Sequence, residues 1–583
     1  MNHYFSEYIE ALEHAGELVR ITRRVDPVLE MAEITDRQAS MPHGGKAVLF
    51  ENTETGIPVV TNLFSSENRI AMAFDVDKIK DASTRLAAFL QAMLPARNYR
   101  RFMNIAPSSK LSPYSPRTAD SGACQEIALF PPDLNRIPFF QNRPFDEAQS
   151  MGSVTVLMKN PYVNGNYYIE NARVLWHTKT TVQIRFEPSS LASVFLNASP
   201  SGRVPMALLF GGDPLYHILS FIPMVSDIDP MFMLGYLRKK NIIKVPCLSQ
   251  PLEVPDNCDM VVEGYLDKNA ASVPSIACGE DTGFYSSGEK EPLMFVTCIT
   301  RRKDAVISIN IPALGLIRSQ RYITKAYSVF LENFIEKNIA LEVRSICFPH
   351  FSHHGNAAVI AIDKYFQGQT HKIAHAIWGS TLTTLNKLLI VVDTAVDVEN
   401  WNEVNTCIAN YYNPVTDTFF SRGPLSLTDH AAPVLGFGGK ICIDATRKTS
   451  SPAKPCHGAL SFCFYHEKQE DPIANDPKSL IYIKLNNEVD LSDHSMCLWQ
   501  AINQTDPIRD IHLSDGKLFV DACIKRPGDR GVTRPWPNVS CSSLETIKTV
   551  DACWDKLKIG KKIPSPSLKF HPLLRDGKAI ISE

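Results

Sequence analysis

Three short stretches hold side chains whose types and spacing could do chemistry. CGEDTGFY at 278–285 sets Glu280 and Asp281 between two glycines, ahead of a strand-rich run. A carboxyl held there by flanking backbone turns could serve as a general acid or base, and the same pattern also suits a solvated turn. LGFGGK at 435–440 gathers three glycines and Lys440, so backbone N–H groups could approach a phosphate. It is not a P-loop, because Ile441 follows Lys440 where Ser or Thr is required, and the third glycine of G-x-G-x-x-G is missing. A tight turn between strands is the reading that remains. PHFSHHG at 349–355 offers His350, His353 and His354 as nitrogen ligands, but with no neighbouring Cys or carboxylate it reads as a polar surface loop.

The elements that must position such groups can be bounded by composition. At 583 residues, and roughly 150 per domain, three to four units are expected. The 44% apolar and 21% charged residues mark a globular chain. Sixty basic against 62 acidic residues give a net charge of −2, which removes any bulk electrostatic reason to bind nucleic acid or an anionic membrane. None of the 14 cysteines forms a C-x-x-C pair, so a reduced, cytoplasmic location is expected. The N-terminus carries acidic residues at helical spacing and makes a poor signal peptide. LLIVV at 388–392 is strand-sized, far short of the ~20 residues that span a bilayer. The N-x-[ST] sequons at Asn197, Asn503 and Asn538 are read as chance. Neither an internal repeat nor a low-complexity tract is visible.

Apolar spacing predicts a helix over 4–19 and a second over 31–37, then strands at 47–50 and 58–61. APSSKLSPYSPR, ending at Arg117, cannot continue a helix or central strand, and sets a boundary. From 124 to 315 short alternating runs separated by Pro, Gly and Asn predict a mostly antiparallel sheet or barrel. Helices over 322–337, 369–385 and 398–409 then alternate with strands at 357–362 and 388–393, the rhythm of a parallel α/β unit. Beyond 448 only a strand at 480–485 and a helix at 543–557 stand out, the latter suited to packing on a partner subunit.

Around CGEDTGFY the chain resembles the UbiD family of decarboxylases, and the resemblance extends from about residue 5 to 447. It is carried by ALEHAGELVRITRRVDPVLEMAEITDR and GGKAVLFENTETGIPVVTNLF near the start, by CQEIALFPPDLNRIPF, by GEDTGFY itself, and by WGSTLTTLNKLLIVVDTAVDVENWNEV and APVLGFGGKICIDAT. It implies an α/β and β multidomain fold. The expected parts are an N-terminal α/β domain (1–115), a split β-barrel of flavin-reductase type (116–315), a C-terminal α/β domain (316–447) and an extension (448–583).

The resemblance also implies prenylated FMN, Mn2+ and often K+, with an acidic side chain returning a proton to the carbon that loses CO2. By position the proton donor falls on Glu280. Asn166 matches a metal-binding Asn, Ile169, Glu170 and Asn171 fall where three consecutive residues meet the flavin, and Gln183, Ile184, Arg185, Pro188 and Ser189 form the next contact. Lys387 lies where a family lysine reaches the cofactor phosphate; an ordinary strand-end lysine is the other reading. Four positions depart from the pattern. Asn171 stands for an active-site Arg and Ser275 for a Glu, so a cation and an anion are lost together. Glu187 stands for a ligand His, and Pro230 for a ligand Glu. Glu187 is a competent hard-metal ligand, and Asp227 or Asp229 beside Pro230 could supply the missing carboxylate.

The expected activity is therefore non-oxidative decarboxylation of a hydroxyarene carboxylic acid in ubiquinone biosynthesis, most like 4-hydroxy-3-polyprenylbenzoate, or of a naphthoate in menaquinone biosynthesis. The expected partners are a flavin prenyltransferase as cofactor supplier and further copies of the chain, as a dimer or hexamer. The four departures leave a second class open, a catalytically silent paralogue that acts in assembly or regulation.

Overall fold

Alternation of apolar and polar residues in the middle third produces six strands that close on themselves. These are β1 (Met151–Lys159), β2 (Tyr167–His177), β3 (Thr181–Arg185), β4 (Arg203–Phe210), β5 (Met260–Asp267) and β6 (Leu293–Arg301). All pairings are antiparallel in the order β1-β2-β3-β6-β5-β4, and β4 returns to β1, so the ring is a closed six-stranded barrel with no free edge. Ile127–Leu129 adds to β6 from outside. The computed structural model describes residues 4–89, 112–162, 166–222, 229–286, 288–312, 314–316, 321–353, 355–448, 461–469 and 472–581. The boundary stretch ending at Arg117 is therefore described only from residue 112, and Asp227 and His354 lie outside the described residues.

The chain divides into two units by its contacts. One comprises Met1–Gly279, Ser287–Phe330 and Ser540–Leu568, the other Glu280–Ser286, Leu331–Val539 and Lys569–Glu583. The first unit holds the barrel and an N-terminal sheet of Leu18–Ile21, Ala47–Phe50, Val59–Thr61 and Ile307–Ser308. The first predicted helix is shorter than its spacing suggested, Phe5–His14, because Leu18 and Val19 pair with Ala47 and Val48 as strand. Helix Leu544–Leu557 forms as predicted but packs on helix Glu30–Ala39 of its own chain. Buried Arg37 donates to Asp551 at 2.7 Å and lies over the Trp554 ring.

In the second unit, Ala357–Ile362, Leu388–Asp393 and Phe437–Asp444 are parallel, and Val343–Cys347 and Thr418–Pro424 are antiparallel edges. LGFGGK is part turn and part strand: Leu435 and Gly436 make the expected turn, Gly436 with φ of +74°, while Gly438, Gly439 and Lys440 lie inside the strand that follows. A Cβ on Gly438 would stand 2.7 Å from Asp506 Oδ2, and one on Gly439 would stand 2.7 Å from the Ile508 nitrogen. His353, read as surface, is buried.

A second sheet repeats this order, against the expectation of no internal repeat. Phe462–His466, Ile481–Leu485 and Lys517–Asp521 are parallel, with Ile511–Ser514 as the antiparallel edge. Helices Trp401–Tyr411 and His494–Gln504 have 11 residues each at a shift of 93 positions, 401 to 494. Asp397 takes the Glu399 amide at 3.0 Å as Asp490 takes that of Ser492 at 2.9 Å. Asp417 and Asp510 each accept the amide four residues back at 2.8 Å. Lys448 donates to the carbonyl of Asp444 as Lys525 does to that of Asp521. Among the described residues no helix is long and apolar enough to cross a membrane.

Candidate active site

Strand alternation divides the residues expected to act together. On β2, Asn171 and Arg173 share one face and Glu170 takes the other. Asn171 donates to Ser220 Oγ at 3.3 Å, from a helix Pro214–Ser220 that also sets half-buried His217 3.4 Å from Thr155. Burial lowers the His217 pKa to about 4, so its ring is neutral. A cavity of about 10 Å³ beside Thr155 and His217 has room for one water. Glu170 instead accepts from Ser190 Oγ at 2.8 Å, and burial pushes its pKa up to about 8.

Gln183 and Arg185 share a face of β3, and Arg185 stands opposite Arg173 in register. Together these side chains hold the segment that leads to the acidic turn. Gln183 Nε2 donates to the Pro274 carbonyl at 2.9 Å, Arg185 to Ser275 Oγ at 2.6 Å, and Arg173 to the Gly279 carbonyl at 2.5 Å. Asp146 accepts the Gly279 amide at 2.7 Å, and Glu147 that of Ala277 at 2.9 Å. Arg185 is matched by buried Glu291 at 2.6 Å. Ser275, where the resemblance implies a Glu, thus accepts from Arg185, whose charge Glu291 matches. Neither Arg173 nor Glu291 was singled out from the sequence. Spacing could have found Arg173, two residues beyond Asn171 on a strand. Asp146, Glu147 and Glu291 carry no such signal.

Glu280 belongs to the second unit and is buried. Its amide donates to the Phe284 carbonyl at 2.8 Å, the Gly283 amide donates to its carbonyl at 2.9 Å, and Ser286 Oγ donates to its carboxylate at 2.6 Å. Gly283 makes the turn with φ of +84°, a left-handed value that favours glycine. Lys387, in the same unit, is buried and paired with Asp429 at 2.7 Å.

Asn166 immediately precedes β2, and Asp229 takes the Tyr167 amide next to it, so these two expected metal ligands are neighbours. Asp229 also caps helix Pro230–Arg238 through the Met231 amide at 2.8 Å, and burial raises its pKa to about 6. Glu187 lies in the turn after β3 with exposed Pro188 and part-exposed Ser189. Among the described residues no three of His, Cys, Asp or Glu stand close enough to hold a metal ion. Ile169 and Ile184 are buried apolar residues of β2 and β3. A cavity of about 140 Å³, lined by Met31, Ile137, Phe139 and His177, includes none of the expected site residues.

Three family models match the chain: the 3-octaprenyl-4-hydroxybenzoate carboxy-lyase N-terminal domain over 9–88, its Rift-related domain over 117–314, and its C-terminal domain over 322–445. An uncharacterized protein of Aquifex aeolicus (strain VF5) is 30% identical over 445 residues, 76% of this chain and 91% of that one. Among solved structures, the vanillic acid decarboxylase of Sedimentibacter hydroxybenzoicus in its closed form aligns with a TM-score of 0.68 at 21% identity, covering 78% of this chain and 94% of that one. The UbiD-class enzyme HmfF of Pelotomaculum thermopropionicum, in complex with FMN, aligns with a TM-score of 0.63 at 20% identity, covering 77% and 95%. At these identities the likeness to the solved structures is one of fold.

Proposed function

The chain belongs to the UbiD family of carboxy-lyases, and on that premise we propose that it removes CO2 from a hydroxyarene carboxylic acid with prenylated FMN as cofactor, Glu280 returning the proton. The observation that carries this reading is the shared face of β2 and β3. Gln183, Arg185 and Arg173 hold the segment that runs directly into Glu280. A residue that must deliver a proton at a fixed atom needs such an anchored backbone.

Fit to the flavin rests on Gln183. It is fully buried, its nitrogen is committed to Val273 and Pro274, and its Oε1 has no partner. A buried acceptor without a donor is costly, and a ring N–H of a flavin suits it. When bound, prenylated FMN supplies the electron sink for the bond that loses CO2. The first unit contributes the buried charge pair Arg185 and Glu291, and the second the acid Glu280, which would transfer its proton to the ring carbon that lost the carboxylate.

Fit to a metal is poor. Asp229 is taken up by backbone amides, and no cage of three acidic, thiol or imidazole ligands stands among the described residues. No step of the reading runs through Mn2+ or K+. The poor metal fit also favours a second reading, the catalytically silent paralogue. The substrate proposed first is a 4-hydroxy-3-polyprenylbenzoate in ubiquinone biosynthesis, then a naphthoate in menaquinone biosynthesis.

The test is to co-express the chain with a flavin prenyltransferase, record its absorbance, and measure CO2 release from a panel of hydroxybenzoates and hydroxynaphthoates. Flavin-loaded protein that releases CO2, with release lost in Glu280→Gln, is the expected result. Folded, colourless protein without turnover would sink the enzyme in favour of the silent paralogue.

A further inference from the structure

The two copies of the α/β repeat have not kept the same task. Helix Trp401–Tyr411 of the first copy buries only Val404 and Ile408 and leaves Asn402, Glu403 and Thr406 in solvent. Helix His494–Gln504 of the second copy is buried on nearly every side. At the position where the first copy has exposed Thr406, whose hydroxyl merely bonds back to Asn402, the second has Trp499 with none of its surface exposed. A Thr-to-Trp difference at one repeat position adds a large apolar face and one N–H donor, and such a donor finds a partner when it is buried.

That partner is the acid turn. The Trp499 indole N–H donates to the Thr282 carbonyl at 2.8 Å, and its ring stacks on Phe284 at 4.8 Å with the planes 16° apart. Phe570 closes the other side edge-on at 5.5 Å. The chain following the second copy completes the grip, since Phe284 forms a bridge with Val539 and the Tyr285 amide donates to the Asn538 carbonyl at 2.9 Å. Thr282 and Phe284 are separated only by Gly283, whose amide bonds the carbonyl of Glu280. Displacing Thr282 therefore moves the backbone that carries the acid. The family models end at residue 445, before any of Trp499, Asn538 or Val539.

We propose that the second copy of the repeat serves as the holder of the acid turn, and that Trp499 is a positioning residue which fixes Glu280 through the Thr282 carbonyl and the Phe284 ring. The proposal rests on the reading of Glu280 as proton donor. Two experiments on the full chain separate the two ideas. In Trp499→Phe the ring stack is retained and only the N–H is lost. Hydrogen–deuterium exchange should then be about tenfold faster at the Glu280 and Gly283 amides, as expected for one buried hydrogen bond, with Leu388–Asp393 unchanged. Unchanged exchange in the turn, or equal loosening of the whole sheet, overturns the proposal.

In the flavin-loaded chain, Trp499→Phe should lower kcat about tenfold with KM within about twofold, because the acid acts only in the reaction step. A change confined to KM, or full kcat with a loosened turn, also overturns it. Glu280→Gln is the discriminating control. Retained CO2 release in that variant, or no release from the wild-type chain, defeats the reading of Glu280, and the exchange experiment still decides whether Trp499 holds the turn.

Discussion

Arg185 and Ser275, 90 residues apart in the chain, are joined by a 2.6 Å hydrogen bond while the same guanidinium pairs with Glu291. Arg185 and Glu291 are both buried, so removing one takes from the other its matching charge. Arg185→Met should cost about 3–5 kcal/mol of stability in chemical denaturation. The double variant Arg185→Met with Glu291→Met should recover most of that loss. A single variant as stable as wild type would mean that water reaches Glu291.

Glu170 predicts a pH dependence of stability. Its ordinary pKa is 4.5, and burial raises it to about 8 in the folded chain. Between these values the folded state holds a proton that the unfolded state releases. This contribution is complete below about pH 4.5 and is lost as pH rises through about 8. Glu170→Gln cannot ionise, so the difference in melting temperature between variant and wild type should shift in the variant's favour from pH 5 to pH 9. A constant difference would place the Glu170 carboxyl in water.

The strand Phe437–Asp444 tests the contact between the repeats. Gly439 has no positive φ, so alanine there is resisted by contacts: the Ile508 nitrogen and Cγ1, and the Asp506 carboxylate, which accepts the Gly439 amide at 2.7 Å. Gly439→Ala should destabilise the chain by about 1–3 kcal/mol, the range for overpacking a rigid backbone contact. Melting within a degree of wild type would show that the 506–508 turn can give way.

Ser286→Ala removes a hydroxyl that donates to Glu280 at 2.6 Å, without touching β2 or β3. Flavin loading should be unchanged while CO2 release falls about fivefold to tenfold, the scale of one lost hydrogen bond to a carboxylate. Loss of flavin absorbance in this variant would tie Ser286 to cofactor binding.

The barrel was legible because its strands are short runs rich in β-branched residues and bounded by turn residues, as VTVLM and VQIRF show. The repeat was not. What the two copies share is a set of backbone-binding positions, Asp397 with Asp490 and Asp417 with Asp510, spread over dissimilar apolar residues. LGFGGK hid a strand for a related reason. Gly436 serves the turn, whereas Gly438 and Gly439 answer to the chain at 506–508 that presses on them. At the site, a period of two would have separated Glu170 from Asn171 and paired Asn171 with Arg173. Asp146 and Glu291 became visible only once strands distant in sequence were brought together.

Lys448 and Lys525 occupy the same place in the two copies, but Lys448 stands partly in water whereas Lys525 is buried with the carbonyls of Asp521 and Cys523. A lysine left in that state cannot be uncovered by halves. The second copy is therefore no detachable appendage, although the recognised family domain stops before it. A chain ended at residue 447 would bare the flank of Phe437–Asp444, withdraw the indole from the acid turn and leave Arg37 without Asp551 and Trp554. Where homology ends and where the molecule can be cut are, in this protein, different places.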